Sequence, residues 1–243
     1  MIRHLYTAIY SCSIPLLLLR ALWRSYRHDL AYRQRWAERF GFSPIPSTPI
    51  DYCIHAVSLG EAIVAQRLVT ALFEADPTAT IALTTTTISG SRYVREHIDK
   101  RIVHTYLPFD VPFALHRFIT RLQPARFIIM ETELWPNLLY VLKQHHIPVL
   151  LANARLSEKS AKGYQRLPLF AASMLSYISC VCAQSDSDAA RFIRIGLDKT
   201  TLLTTGNIKY DMTLEPELIA HAEAKRQSLF SQRPVWVAAS THP

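Results

Sequence analysis

Acidic side chains follow two apolar runs of this 243-residue chain, at the points where each run ends. Glu61 comes after Ser58 and Gly60, and we expect Gly60 to let the backbone turn sharply there. Glu131 and Glu133 come directly after the second run. A carboxylate that is partly desolvated and close to other carboxylates has a raised pKa and can act as a general base. One reaction that needs such a base is the attack of an alcohol on an activated sugar.

The same residues also have purely structural interpretations. Ser58 and Glu61 fit a capping box, in which Glu61 accepts the backbone N–H of Ser58. Glu131 and Glu133 fit charges at the start of a helix, where the helix dipole favours them. Spacing alone therefore permits the catalytic interpretation without selecting it.

An amine and several polar segments extend the candidate site. Lys209 can offset the charge that gathers on a departing phosphate, although alone it equally fits a surface amine. Asn207, two residues earlier, fits a turn or cap residue. Other polar segments follow apolar runs at 84–91, 108–110 and 153–155. Because open α/β sheets bind ligands at the carboxyl ends of their strands, one crevice can collect all of these groups.

Apolar, β-branched runs recur along the chain and predict the sheet that positions these residues. After the first run at 51–57, they lie at 80–84, 101–106, 126–130, 148–151, 180–183 and 201–204. Their spacing of roughly 20 to 30 residues is about the length of a βα unit. The sequence therefore predicts a doubly wound, parallel α/β sheet. The longest interval, 156–177, predicts two helices that are broken near Pro168.

Composition and charge narrow the classes of protein. The hydrophobic content of 49% is ample for a packed core, and the net charge of +8 suggests an anionic partner: nucleic acid, a membrane surface or a phosphorylated substrate. The four cysteines form no C-x-x-C pair, so we expect buried thiols, with neither zinc nor disulfides. No G-x-x-x-x-G-K-[ST], G-x-G-x-x-G, H-E-x-x-H or G-x-S-x-G pattern is present. Nucleotide hydrolases, dehydrogenases, zinc proteases and esterases are correspondingly disfavoured.

The amino terminus has the composition of a membrane-associated segment. Residues 5–19 carry no formal charge, but this run is shorter than the ~20 residues that cross a bilayer. Six arginines and two tryptophans between positions 20 and 39 predict an interfacial helix on the anionic cytoplasmic leaflet. We therefore expect a membrane anchor at 1–22, followed by a basic interfacial helix and linker at 23–49. The alternatives are a buried first helix with a solvated basic neighbour, and nucleic-acid binding, for which no motif is present.

Five segments, in order along the chain, resemble the signature blocks of the 3-deoxy-D-manno-octulosonic acid (Kdo) transferases. They are His55-Ala56-Val57-Ser58-Leu59-Gly60-Glu61, Glu131-Thr132-Glu133-Leu134-Trp135-Pro136-Asn137, Asn153-Ala154-Arg155-Leu156-Ser157, Gly206-Asn207-Ile208-Lys209-Tyr210-Asp211 and Ala239-Ser240-Thr241-His242-Pro243. The resemblance covers the whole chain, including the amino-terminal apolar segment.

This resemblance implies an inverting glycosyltransferase of the GT-B type, built from two Rossmann-like domains and without a metal or other cofactor. The implied reaction moves Kdo from CMP-Kdo to the tetraacylated lipid A precursor in lipopolysaccharide biosynthesis. The implied location is the cytoplasmic side of the inner membrane, with no nucleic-acid partner.

The resemblance also implies roles for individual residues. Glu61 matches the family's general base, and Glu131 and Lys209 match groups that stabilise the transition state. Other residues within the matching motifs are expected to line the substrate site: Ser58, Gly60, Glu133, Arg155, Asn207, Ser240 and His242.

The domain division follows from the same blocks. Residues 50–212 match the acceptor-side domain, and 213–243 match a linker helix, expected at 215–229, and the first strand of the donor domain, expected at 235–239. The family's second domain begins at the block that here ends the sequence, so we expect a truncated enzyme that is inactive alone. Two alternatives remain: a non-catalytic membrane protein that binds phosphorylated glycolipid, and a GT-B sugar-nucleotide epimerase.

Overall fold

A seven-stranded, entirely parallel sheet forms the centre of the chain. The computed structural model describes residues 2–27, 35–44, 48–211, 216–230 and 233–236. The strands are β1 (Ile50–His55), β2 (Ile81–Thr85), β3 (Val103–Tyr106), β4 (Pro124–Met130), β5 (Val149–Ala154), β6 (Cys180–Ala183) and β7 (Leu202–Thr204). Each overlaps one predicted apolar run, so the predicted doubly wound α/β fold is confirmed.

In the strand order β3-β2-β1-β4-β5-β6-β7, the first strand of the chain, β1, lies in the interior of the sheet. The chain first builds outward from β1 to β3, and then returns to the other side of β1 with β4 and continues to β7. The order reverses between β1 and β4, and ligands bind at such a switch point in open α/β sheets. The first two acidic segments follow these two central strands.

Helices cover both faces of the sheet, as a parallel sheet requires. Among the described residues, the helices of the chain are α1 (Ile2–Arg27), α2 (Trp36–Arg39), α3 (Leu59–Ala75), α4 (Ile88–His97), α5 (Pro112–Leu122), α6 (Pro136–Gln144), α7 (Glu158–Gln165), α8 (Pro168–Leu175), α9 (Asp186–Arg194) and α10 (Pro216–Phe230), and those from α3 to α9 belong to the sheet domain. Helical turns of the 3₁₀ type occur at Lys199–Thr201 and Ile208–Tyr210. The break between α7 and α8 falls at Leu167, directly before Pro168, so this prediction is confirmed.

Two apolar layers hold the sheet between these helices. On one face Val64 and Val69 of α3 pack with Ile54 and Leu83 of the central strands. On the other face a larger cluster joins α5, α6, α8 and α9 to the sheet, and Phe118, Phe127 and Phe192 are its largest fully buried side chains. Burying a side chain of this kind contributes about 1.5–3 kcal/mol, so the two layers fix which ends of the strands carry the polar residues.

Helix α1 packs one face against the domain. Near its start, Asn137 Oδ1 accepts hydrogen bonds from Arg3 Nη1 at 3.0 Å and Thr7 Oγ1 at 2.9 Å. Further along, Ile14 packs with Val111 and Ala114. The apolar helical span is Ile2–Trp23, 22 residues long, so it extends beyond the uncharged run at 5–19 and nearly coincides with the segment 1–22 expected to be an anchor. By length and composition this helix is sufficient to cross a membrane.

Two of the arginines assigned to the interfacial helix lie instead within the domain. Arg35 forms a bidentate pair with Glu38, at 2.5 and 2.8 Å, and the buried Glu38 also accepts the Tyr106 N–H at 2.8 Å. Arg39 donates to the Thr86 carbonyl at 2.5 Å. This part of the 23–49 prediction is wrong, because composition does not reveal the partners that these charges find in β3 and after β2. Residues 28–34 lie outside the described part of the chain.

The chain divides into two compact units, Met1–Ile208 and Lys209–Pro243. In the second unit, the predicted helix at 215–229 is found as α10. Residues 233–236 are not in a strand, so the start of the strand predicted at 235–239 is not observed. The remainder of that prediction, together with Ser240 and His242, lies outside the described residues.

Candidate active site

Glu61 lies in the first turn of α3, directly after the central strand β1 and a three-residue turn. Its side chain is buried, with 8% of the residue exposed. Oε2 accepts the Val57 N–H at 2.8 Å, and Oε1 accepts the Ser58 hydroxyl at 2.9 Å. Burial raises the pKa of this carboxyl, the two hydrogen bonds oppose the rise, and the charges of Glu133 and Glu131 add to it.

The hydrogen bonds of Glu61 differ from those of the predicted capping box. In that box the carboxylate accepts the N–H of Ser58 and the Ser58 hydroxyl accepts a helix N–H. Here the backbone donor is Val57, and Ser58 makes no side-chain cap bond to the helix. The carboxylate is therefore turned back over the segment between β1 and α3, where both of its oxygens are fixed.

Gly60 is not the sharp turn that the sequence predicts. It lies within the first turn of α3, and a Cβ at this position would meet nothing within 4 Å. The turn before the helix is instead made by residues 56–58. Neither the backbone conformation nor packing against a neighbour therefore requires a glycine here.

Glu131 and Glu133 follow β4, the neighbour of β1 in the sheet. Glu131 has a left-handed backbone (φ 57°), and its N–H donates to the Ala152 carbonyl at 2.9 Å. Glu133 accepts the Trp135 indole N–H at 3.0 Å, and burial together with the charge of Glu131 raises its pKa. Helix α6 starts only at Pro136 and has no acidic residue in its first turn, so the helix-start interpretation is wrong.

The switch point thus collects three carboxylates that interact electrostatically. Glu61 comes from the turn after β1, and Glu131 and Glu133 come from the turn after β4. Like charges in partly desolvated surroundings disfavour ionisation, so the charge of Glu131 adds to the rise in the pKa of Glu61 and of Glu133. This is the electrostatic arrangement expected of a general base.

A second group of polar residues fixes the segment before Lys209. Asn153 is fully buried with a left-handed backbone (φ 54°), and its Oδ1 accepts the Ile208 N–H at 3.1 Å. Gln184 Nε2 donates to the Asn153 carbonyl at 2.8 Å, and Gln184 Oε1 accepts Asn207 Nδ2 at 3.0 Å. These bonds tie the carboxyl ends of β5 and β6 to the loop after β7.

Two other predicted site residues, Arg155 and Lys209, come from other segments of the chain. Arg155 is exposed, and its carbonyl accepts a hydrogen bond from the Thr132 hydroxyl. Lys209 is exposed and belongs to the second unit, directly after Ile208. The structure therefore brings together Ser58, Glu61, Glu131 and Glu133, whereas Asn207 belongs to the separate group around Asn153.

A cavity of about 730 Å³ is lined in part by Trp135, whose indole N–H donates to Glu133. Its lining is mostly apolar and comes from α1, α2, α4, the segments after β2 and β3, and the residue before α6: Tyr10, Leu17, Leu18, Ala21, Trp36, Arg39, Thr86, Thr87, Ile88, Ser89, Arg92, Tyr106, Leu107, Pro108, Phe109, Asp110 and Trp135. The Val57 carbonyl accepts the N–H groups of Thr86 and Thr87 at 3.0 Å, which links this wall to the turn that holds Glu61.

The sequence indicated only part of this cavity. The polar segments 84–91 and 108–110 lie in its wall, as strand-end residues should. Arg39 and Arg92 were missed as cavity residues, because Arg39 was assigned to the basic interfacial helix and Arg92 fits a solvated helix face. Their side chains line the cavity only because α2 packs on β3 and α4 begins beside the Ser58 turn.

No group of three or more metal-ligating side chains occurs among the residues that the structure describes. Of the cysteines expected to be buried, Cys53 is buried, Cys180 and Cys182 are half-buried, and Cys12 is exposed. The surface position of Cys12 follows from the packing of α1, which turns the opposite face inward.

The fold defines a class of protein. Two solved structures align with 71–72% of the chain and 52% of their own lengths at 15% identity: a UDP-N-acetylglucosamine 2-epimerase (TM-score 0.51) and a putative UDP-N-acetylglucosamine 2-epimerase from Listeria monocytogenes (TM-score 0.50). At this identity the likeness shows the fold alone. The chain has the fold of one Rossmann-like domain of the GT-B architecture.

The family is narrower than the fold. Residues 34–212 match the family described as 3-deoxy-D-manno-octulosonic-acid transferase (kdotransferase), and the chain belongs to this family. It is 44% identical over 213 residues to the 3-deoxy-D-manno-octulosonic acid transferase of Haemophilus influenzae, covering 87% of the chain and 50% of the relative. For the Bordetella pertussis transferase the identity is 34% over 250 residues, covering 98% and 56%. The chain thus spans about half the length of the curated relatives it matches.

Proposed function

We propose that this chain forms the acceptor side of an inverting glycosyltransferase that moves Kdo from CMP-Kdo to the tetraacylated lipid A precursor. The observation that carries the proposal is the buried Glu61 carboxylate, held at the switch point of the sheet in a family of Kdo transferases. Residues 50–212 are the proposed acceptor-side domain, and 213–243 are the proposed start of the donor domain.

In the proposed reaction, Glu61 takes the proton from the glucosamine hydroxyl of the acceptor. The hydroxyl oxygen forms a bond to the anomeric carbon of Kdo, and the bond from that carbon to the phosphate of CMP breaks. CMP leaves with the electron pair. The raised pKa of Glu61 suits this role, because a base is most effective when its pKa approaches the working pH. Glu131 and Lys209 are the proposed stabilisers of the transition state.

The cavity that Trp135 lines suits a phosphorylated lipid. Leu17, Leu18 and Ala21 of α1 provide an apolar wall, and Arg39 and Arg92 line the same space. An apolar cavity with a few cationic groups matches the acyl chains and phosphates of the proposed acceptor. The lining thereby supports a glycolipid over a small soluble sugar.

Helix α1 is the proposed membrane contact. Its contacts with the domain run from Arg3 to Leu18, over more than half of its length, so we expect it to lie in the membrane interface. Its other face presents large exposed apolar side chains: Leu5, Ile9, Leu16, Leu19 and Trp23. The proposed location is the cytoplasmic side of the inner membrane, where the acceptor's acyl chains can enter the cavity along α1.

The proposal is tested with Glu61→Gln, which keeps the size of the side chain and an oxygen for the Val57 N–H. The control is Glu74→Gln, an exposed position on the same helix. Binding of a synthetic tetraacyl, bisphosphorylated glucosamine disaccharide is measured in detergent micelles, and Kdo transfer is measured with CMP-Kdo generated in situ.

We expect the parent chain and both variants to bind the disaccharide, and any transfer by the parent to survive in Glu74→Gln and disappear in Glu61→Gln. Equal transfer by Glu61→Gln would contradict the role of the base. A parent chain that neither binds the disaccharide nor transfers Kdo would overturn the proposed function. Binding without transfer would identify the chain as an acceptor-binding half.

A further inference from the structure

In the first turn of α3, the residue before the proposed base Glu61 is Gly60, which has no side chain. Gly60 is exposed, and in the described part of the chain no atom beyond its chain neighbours and its own helix backbone lies within 4 Å of the Cβ position. Its backbone is helical, and glycine is less favourable than alanine in a helix because it loses more conformational freedom on folding. The local structure would therefore accept alanine at least as well as glycine.

The surface around Gly60 differs from the rest of the exposed side of α3. Leu59 and Ile63, on either side of it in the sequence, are 40% and 42% exposed. Further along the helix, the exposed residues are Thr70, Ala71, Glu74 and Ala75, which are polar or small. The large exposed apolar side chains of α3 thus lie in the part of the helix next to Glu61.

The surface of Leu59, Gly60 and Ile63 adjoins the proposed base in the sequence, so a substrate bound at the Glu61 carboxylate can contact it. The carboxylate oxygens are held by Val57 and Ser58, on the side of the turn that precedes the helix. A hydroxyl that gives its proton to this carboxylate must come within about 2.6–3.2 Å of an oxygen. A sugar ring is wider than this distance, so the rest of the ring must lie against the surface next to the carboxylate.

We propose that Gly60 is a specificity-determining residue whose missing side chain admits the pyranose ring carrying the attacking hydroxyl. The C–H face of the ring packs against the backbone of Gly60, and Leu59 and Ile63 border it. This inference rests on the proposed function. It predicts an unusual combination for Gly60→Ala: fold stability that is unchanged or higher, together with weakened acceptor binding.

The matched control is Gly163→Ala. Gly163 is also exposed and within a helix, α7, and a Cβ there likewise meets nothing within 4 Å. The melting temperature of each variant and its Kd for the tetraacyl, bisphosphorylated glucosamine disaccharide are measured in detergent micelles. For both variants we expect a melting temperature equal to or above that of the parent. Only Gly60→Ala should raise the Kd, by about tenfold or more, as expected of an overpacked contact.

The outcomes separate this inference from the proposed function. If the parent and Gly60→Ala bind the disaccharide equally, the inference is overturned while the proposed function stands. If the parent does not bind it, both are overturned. A lowered melting temperature of Gly60→Ala alone would assign glycine a structural role and would also overturn the inference.

Discussion

The Ser58 hydroxyl donates a hydrogen bond of 2.9 Å to Oε1 of Glu61, three residues further along the chain. Together with the Val57 N–H on the other oxygen, this bond fixes the carboxylate of a residue that burial would otherwise drive towards the protonated form. The turn between β1 and α3 therefore orients the proposed base and limits how far its pKa rises. A hydrogen bond to an ionised group is worth about 1.5–3 kcal/mol, enough to matter for both effects.

Ser58→Ala should raise the pKa of Glu61 further, because the hydroxyl stabilises the ionised form. A titration of the Glu61 side-chain carbonyl by ¹³C NMR should place the parent pKa above that of an ordinary glutamate and the variant pKa higher still. Thr70→Ala, which removes an exposed hydroxyl from the same helix, should leave the titration unchanged. A Ser58→Ala curve that coincides with the parent curve would show that the hydroxyl does not act on the carboxylate.

Asp110 should make the stability of the fold depend on pH. It accepts the N–H groups of Asn137 and Leu138 at the start of α6, and burial raises its pKa to about 6. A raised pKa in the folded state adds stability at low pH that is lost as the pH rises through about 6. The difference from the ordinary value of 3.8 corresponds to at most about 3 kcal/mol.

The measurement for Asp110 compares urea unfolding of the parent and of Asp110→Asn between pH 4 and pH 7.5. The free energy of unfolding of the parent, relative to the variant, should fall as the pH rises across this range. A difference that is constant with pH would contradict the raised pKa.

Two glycines with the same φ angle allow the cost of backbone strain to be measured separately from the cost of a steric collision. Gly41 and Gly206 both have φ of 83°, a left-handed conformation that costs other residues about 1–2 kcal/mol. A Cβ at Gly41 would also collide with the Ala114 carbonyl, whereas a Cβ at Gly206 meets nothing within 4 Å. Gly206→Ala should therefore lower the free energy of unfolding by about 1 kcal/mol, and Gly41→Ala by clearly more. Equal losses in denaturant unfolding would contradict the collision.

The exposed face of α1 should determine membrane binding. Replacing Ile9 and Leu16, which are both exposed, with glutamate should lower the fraction of protein that floats with phosphatidylglycerol-containing vesicles, because charged side chains do not enter the acyl region. The control is Thr70→Glu, which places the same charge at an exposed position on α3 and should not change flotation. Unchanged flotation of the α1 variant would show that the membrane contact lies elsewhere.

The sequence was sufficient to predict the strands and the polar groups that follow them. The hydrophobic period and the composition are properties of short sequence segments. Each strand of a parallel sheet that is buried on both faces therefore shows in the sequence as a continuous apolar run. Strand order is not local, so the proximity of Glu61 to Glu131, which depends on β1 pairing with β4, could only be supposed.

The predictions that were wrong share one cause: the side chains involved bind partners that are distant in the sequence or set by the tertiary fold. The basic composition around Arg35 and Arg39 predicted a membrane surface, but Glu38, Tyr106 and Thr86 supply partners within the domain. Similarly, the spacing of Ser58 and Glu61 fits a capping box, while the actual donors are set by how the strand enters the helix. Sequence spacing limits which groups can meet, and packing selects which of them do.

Asn153 should control the mobility of the segment that leads to Lys209. Its side chain accepts the Ile208 N–H, and its left-handed backbone is one that glycine adopts at no cost. Asn153→Gly therefore removes the acceptor while keeping the backbone, whereas Asn153→Ala removes the acceptor and strains the backbone. Both should speed amide exchange at Ile208 by about 5–30-fold, the loss of one buried hydrogen bond, and both should lower the melting temperature, with the larger decrease for the strained Asn153→Ala. Parent-like exchange at Ile208 in Asn153→Gly would show that the side chain does not hold this segment.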